Sequence, residues 1–132
     1  MTPVFADAFY FLALLNKSDR AYTRALQFQA IGLSLVTTSC VLTEVGDALC
    51  ARENRDLFLE LLDQLHALPD VKIIPFSEEL FERGIELFRQ RSDKDWPLTD
   101  CISFVAMKDE GITEALTGDR HFEQAGFHAL LK

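Results

Sequence analysis

The sequence predicts an α/β protein: a three-layer α/β/α sandwich around a parallel sheet of about five strands, in one domain over residues 1–132. Three observations predict it. Short apolar, β-branched stretches alternate with longer segments of helical periodicity, and parallel neighbours need such long crossovers. The strand stretches are apolar almost without interruption, as strands covered on both faces are. At 132 residues, 48% hydrophobic and with eleven phenylalanines, the chain can bury one sizeable core but is short for two. No internal repeat, low-complexity tract or linker divides it.

The first strand is read at 3–7, PVFAD, which ends on an acid. Helical sequence follows at 8–15. A second helix is read at 18–31, with Ser18 or Asp19 as its cap and Gly32 as its stop. LSLVTT at 33–38 is the second strand. Residues 39–52 show helical spacing, with Val41, Leu42, Val45, Ala48 and Leu49 on one face. A further helix fits 55–67 and is closed by the turn at Pro69–Asp70. VKIIPF at 71–76 is the third strand. Ser77 caps a helix running to about Arg91, and Glu78 and Glu79 occupy its first turn, where the helix dipole favours them. The loop SDKDWP leads into a helix at 99–110, capped by Thr99, apolar on nearly every side and therefore central; Gly111 ends it. TEALTG at 113–118 and FHALL at 127–131 supply the fourth and fifth strands.

Charge and composition narrow the function. The net charge is −8, whereas passive nucleic-acid binders gain affinity by neutralising phosphates and are usually basic. An enzyme whose acids meet phosphate through divalent cations remains open, as does a protein with a cationic partner. No apolar run reaches the roughly 18 residues that would span a bilayer. VFADAFYFLALL makes a poor signal peptide, being interrupted by Asp7 and preceded by no basic residue. The expectation is a soluble, cytoplasmic protein. Cys40, Cys50 and Cys101 lack C-x-x-C spacing and read as reduced core residues. His66, His121 and His128 form no H-x-x-x-H pair and read as core or surface residues, a histidine gaining rank only if a metal site lies nearby.

Four acids stand where a parallel sheet builds its sites, beyond the carboxyl ends of the strands. Asp7 closes the first strand, Asp119 follows the fourth, and Asp100 opens a helix entering from a loop. Glu44 lies one turn into the helix after the second strand, at the edge of its apolar face. Each has an ordinary explanation: Asp100 as a dipole-favoured first-turn acid, Asp119 in GDR as a turn or cap, Asp7 as an Asx-type cap, Glu44 as a solvated helix side chain. Four acids delivered to one rim by separate elements call for a joint explanation. Clustered carboxylates raise each other's pKa, and a divalent cation removes that penalty. Mg²⁺ and Mn²⁺ take hard oxygen ligands and bridge them to phosphate. No Gly-rich phosphate loop, Ser–His–Asp order or Cys–His pair competes.

The stretches VFADAFYFLALL, TTSCVLTEVGDAL, LTDCISFVAM and ALTGDRHFEQAGF, in that order and spacing, resemble the PIN-domain nucleases, in particular toxin ribonucleases of the VapC type. The resemblance covers about residues 3–131. It implies a five-stranded parallel α/β/α sandwich and an endoribonuclease that hydrolyses phosphodiesters with Mg²⁺- or Mn²⁺-activated water. It implies Asp7 and Asp100 as principal catalytic metal ligands, Glu44 completing the site directly or through water, and Asp119 binding a second or substrate-linked metal. Thr117 is implied as a supporting hydroxyl. The family context adds an RNA substrate, transfer RNA among the candidates, a cognate antitoxin protein and a homodimer, for which 18–31 or 39–52 would supply exposed apolar positions. The pattern departs at Ala8, where many relatives carry serine or threonine. Asp93 and Asp95 read as loop charges, and Trp96 as a packing anchor rather than a base-stacking surface. Arg20, Arg24, Arg52, Arg55, Lys94 and Arg120 are unranked candidates for phosphate contacts.

Two other classes compete with this reading. A catalytically weak module of the same fold would capture a partner's basic segment in its acidic groove. A phosphorelay receiver needs an aspartate ending the third strand and a lysine after a late strand. Here the third strand ends at Pro75–Phe76, and no such lysine follows the fourth.

Overall fold

In the computed structural model, residues 2–132 are described. β1 (Val4–Ala6) leads into α1 (Ala8–Leu14) and α2 (Tyr22–Ile31), then β2 (Leu35–Thr38). α3 (Ser39–Ala48), a 3-10 turn (Arg52–Asn54) and α4 (Arg55–Ala67) lead to β3 (Val71–Ile74). α5 (Glu78–Gln90) and α6 (Leu98–Asp109) cross back to β4 (Glu114–Leu116), and α7 (Arg120–Gln124) precedes β5 (His128–Ala129). The sheet has five strands in the order β3-β2-β1-β4-β5. Every pairing is parallel. The predicted α/β class, sandwich and strand count are what the chain adopts.

The order positions the site. From β1 the chain winds outward through β2 to β3, then returns to the other side of β1 for β4. The direction of winding reverses between β1 and β4, and a crevice opens beyond the strand ends at such a switch point. Phe5 faces Ala115 and Ala6 faces Leu116 across that pair, so Asp7 and Thr117 leave the two strands side by side.

The core explains why these segments fold as they do. Phe5, Phe11, Phe104, Phe122 and Met107 are wholly buried. The Phe104 ring meets Trp96 edge-on at 5.1 Å and Phe122 at 4.9 Å, contacts worth about 0.5–1.5 kcal/mol each beyond burial. The Trp96 indole N–H donates to Gln124 Oε1 at 2.9 Å, tying the loop before α6 to α7. Trp96 is therefore a packing anchor. All residues of α6 from Asp100 to Met107 are buried, as its apolar circumference predicted.

Several boundaries differ from expectation. α2 begins at Tyr22, not Ser18, because Asp19 Oδ1 accepts from the Ala21 amide at 2.8 Å and turns the chain first. α3 stops at Ala48, and Ala48 is exposed rather than on the buried face. Thr99 does not cap α6: the cap position falls on Pro97, with no side-chain hydrogen bond. The sequence reading had no helix at 120–124. Gly32 and Gly111 do end their helices, at φ +73° and +69°, a region that glycine enters without steric cost. Ser77 caps α5 by accepting from the Leu80 amide at 3.1 Å. Of the cysteines only Cys101 is in the core; Cys40 is half-buried and Cys50 exposed. No described helix is long and apolar enough to cross a membrane.

Candidate metal centre

Each acid is delivered by its own element. Asp7 is the first residue after β1 and is 5% exposed. Thr37 Oγ1 donates to the Ala6 carbonyl at 2.8 Å, strapping β2 to β1 beside it. Thr38 caps α3 by accepting from the Val41 amide at 3.0 Å, which sets the helix that carries Glu44. Asp100 lies in the first turn of α6 and is also 5% exposed. Asp119 caps α7, its Oδ1 accepting from the His121 amide at 2.9 Å. The capping explanation for Asp119 is thus correct and does not remove it from the crevice.

Thr117 links two of these acids. Its hydroxyl donates to Asp7 Oδ2 at 2.8 Å and accepts from the Asp119 amide at 3.1 Å. A buried hydroxyl with both roles filled fixes the carboxylate it serves. The Ala8 and Phe9 amides also lower the Asp7 pKa, although neither meets the geometry of a helix-cap bond.

Electrostatics show that the acids feel one another. Burial raises the Asp7 pKa; Thr117 opposes this, and the charge of Asp119 adds to it. Asp100 is pushed up to about 7 by burial, then by the charges of Asp7 and Asp119, with His121 pulling the other way. Glu44 is raised by loss of water, then by Asp7, Asp119 and Asp47. As a whole residue Glu44 is exposed, and its link to the other acids is the charge of Asp7 and Asp119 upon it. The four predicted acids share one electrostatic neighbourhood.

Among the described residues, no lysine or arginine pairs with any of the four. Arg83 pairs with Asp109, Arg91 with Asp93 and Lys72 with Glu110. Asp93 is accordingly a loop charge. Arg24 donates to the Leu130 carbonyl and Arg55 to that of Cys50, while Arg20, Arg52 and Arg120 are exposed. The residue that does approach the acids is His121. Its Nδ1 lies 3.1 Å from Asp100 Oδ2 and 3.2 Å from Asp119 Oδ1. Asp100, Asp119 and His121 each offer a ligand atom within 4.8 Å of the others'. Asp7 and Glu44 stand outside that tight triplet.

Sequence reasoning passed over His121 because it sought a second histidine at helical spacing. The available signal was the capping turn itself: Asp119 at the N-cap of a short helix binds the backbone amide of His121, two residues on.

Buried carboxylates without a counter-cation, all hard oxygen donors, fit a divalent ion such as Mg²⁺ or Mn²⁺ in donor chemistry. Such an ion would offset the desolvation and repulsion that raise these pKa values. The arrangement defines a class: an all-parallel α/β sandwich with an acidic centre at its topological switch point.

The PIN domain family model matches residues 4–128, and the chain belongs to the PIN-domain family. Its fold is that of VapC-type toxins. VapC20 from Mycobacterium tuberculosis, a toxin that cleaves the sarcin–ricin loop, superposes with a TM-score of 0.84 at 23% identity, covering 94% of this chain and 95% of that one. VapBC2 from Rickettsia felis, bound to a DNA fragment from its promoter, gives 0.68 at 17% identity, with 96% of each chain covered. FitAcB from Neisseria gonorrhoeae gives 0.65 at 15%, covering 96% and 94%. At these identities the likeness is one of fold. No curated protein matches the chain.

Proposed function

We propose that this protein is a Mg²⁺- or Mn²⁺-dependent endoribonuclease, the toxin of a toxin–antitoxin pair. The observation that supports the reading is the approach of Asp100 and Asp119 around His121, with Asp7 tied to the Asp119 amide through Thr117 and no lysine or arginine among the described residues paired with them. Glu44 joins them through the charges of Asp7 and Asp119 upon it. Family membership and the VapC fold support it.

Asp7 and Asp100 would hold the ion, with Glu44 contributing directly or through water and Asp119 at a second or substrate-linked position. When bound, such an ion supplies Lewis-acid polarisation of a phosphoryl oxygen and acidification of water. The chain's own work is positioning. Thr117 holds Asp7 in one orientation, and the cap of α7 holds Asp119. The buried strand ends restrict water around Asp7 and Asp100, which strengthens electrostatic interactions in the crevice. Exposed Arg20, Arg52 and Arg120 are the candidates to meet substrate phosphates.

The substrate class is RNA, folded RNAs such as transfer RNA included. The partners are a cognate antitoxin and a second copy of the chain. For the homodimer, exposed apolar area lies on α2 at Leu26 and Ile31 and on α5 at Phe81 and Phe88. α3 offers less than the sequence suggested, since Val41, Leu42 and Val45 are buried.

The test is cleavage of structured RNAs by the purified protein with Mn²⁺ or with EDTA. Cleavage requires the metal and is abolished in Asp7→Ala and Asp100→Asn. Equal cleavage in EDTA, or full activity of Asp100→Asn, rejects the reading.

A further inference from the structure

Resting on the acidic crevice being a divalent-metal centre, we propose that His121 is itself a ligand of the metal. The centre then has mixed oxygen and nitrogen donors and prefers Mn²⁺ to Mg²⁺. The carboxylates alone do not predict this. A site of aspartates and glutamate is hard throughout and suits Mg²⁺, whereas imidazole nitrogen suits transition ions.

The position of the ring carries the inference. The α7 cap at Asp119 turns the chain so that Nδ1 of His121 faces two carboxylates at once, at 3.1 and 3.2 Å. The contact with Asp100 joins two elements, since Asp100 belongs to α6, while that with Asp119 lies within the α7 cap. Neighbouring ligands of an octahedral ion with bonds of ~2.1 Å stand ~3.0 Å apart. The two short contacts, 3.1 and 3.2 Å, are near the spacing of neighbouring ligands on one ion, and the third pair lies within 4.8 Å. The side chain is 19% exposed, so the ring is held in the crevice wall. Among the described residues this is the one group of three such side chains with ligand atoms close enough to share an ion. His128 lies instead against Glu114 at 3.5 Å, and His66 is on α4. Neither joins the crevice acids.

As a ligand, Nδ1 would turn its lone pair to the space that Asp100 and Asp119 face. Asp100 and Asp119 would share the ion with it, which draws Asp119 from the second position given above to the same ion as Asp100. The histidine thereby sets metal preference without taking part in phosphate contact.

The full-length protein, stripped of metal, is titrated with Mn²⁺ alone and with Mg²⁺ alone. The Mn²⁺-loaded form is then read by electron spin-echo envelope modulation, with and without ¹⁵N-histidine labelling. The proposal expects a directly bound histidine nitrogen in the wild type whose signal changes on labelling, so that this arm depends on no variant. In His121→Asn, checked for unchanged thermal unfolding without metal, the signal disappears. Mn²⁺ affinity then falls about tenfold or more, the scale on which altered metal surroundings act, and Mg²⁺ affinity falls less. Mn²⁺ bound in an Asp100-dependent manner but with no histidine nitrogen overturns this inference and leaves the acidic metal centre standing. Absence of any Asp100-dependent Mn²⁺ binding overturns both.

Discussion

Replacing Asp100 by asparagine should make the metal-free protein more stable at pH 8 while ending its metal-dependent activity. Asp100 is held near pKa 7 instead of 3.8 by burial and by Asp7 and Asp119. At roughly 1.4 kcal/mol per pH unit, that displacement corresponds to about 4 kcal/mol of destabilisation once the carboxyl is ionised. The sign follows from proton binding. Between about pH 4 and 7 the folded state holds a proton that the unfolded chain has released. The cost is therefore absent below about pH 4, grows through that interval and is complete above 7. The repulsion is shared with Asp7 and Asp119, and His121 offsets part of it. One substitution should recover about half, roughly 2 kcal/mol, which for a domain of this size is a rise in Tm of about 5–10 °C. Thermal unfolding of wild type and Asp100→Asn in EDTA at pH 5 and pH 8 measures it. The gain must be larger at pH 8. A variant equally stabilised at both values, or less stable than wild type at pH 8, refutes the claim that the acids repel one another in a shared crevice.

Three further outcomes are predicted. Saturating Mn²⁺ raises the wild-type Tm, by about 2.7 kcal/mol of stabilisation at a hundredfold excess over Kd, and leaves Asp100→Asn nearly unmoved; calorimetry distinguishes them. Thr117→Val leaves Asp7 without its hydroxyl donor and costs about 1–3 kcal/mol in urea unfolding, with a further loss of Mn²⁺ affinity by titration; unchanged affinity would show that Thr117 does not position Asp7. Gly84→Ala places a Cβ against Ile102 Cγ1 at the α5–α6 contact; it should destabilise by about 1–3 kcal/mol through overpacking while cleavage per folded molecule is unchanged, as the contact is part of the small cluster of Leu80, Ile102, Val105 and Ala106.

Much of this molecule is written locally. The apolar runs at Val4–Ala6 and Leu35–Thr38, the helical spacing of 55–67 and the cap at Ser77 are short-range signals, and each lies within a few residues of its observed element. The acids at the ends of these elements were readable for the same reason: an element's end is where its periodicity stops. The errors were local competitions. Asp19 and its turn displaced the start of α2, Pro97 rather than Thr99 took the cap position of α6, and α7 is too short to declare a period.

Sequence alone determined which residues carry charge at which element ends, and hence where a group of acids could form. Tertiary structure decided the rest. The return of the chain to the far side of β1 set Asp119 beside Asp7, and the burial of α6 removed water from Asp100. The α7 cap brought His121 against two carboxylates. Desolvation and mutual repulsion arise only when segments a hundred residues apart exclude the same water, and no local pattern encodes that.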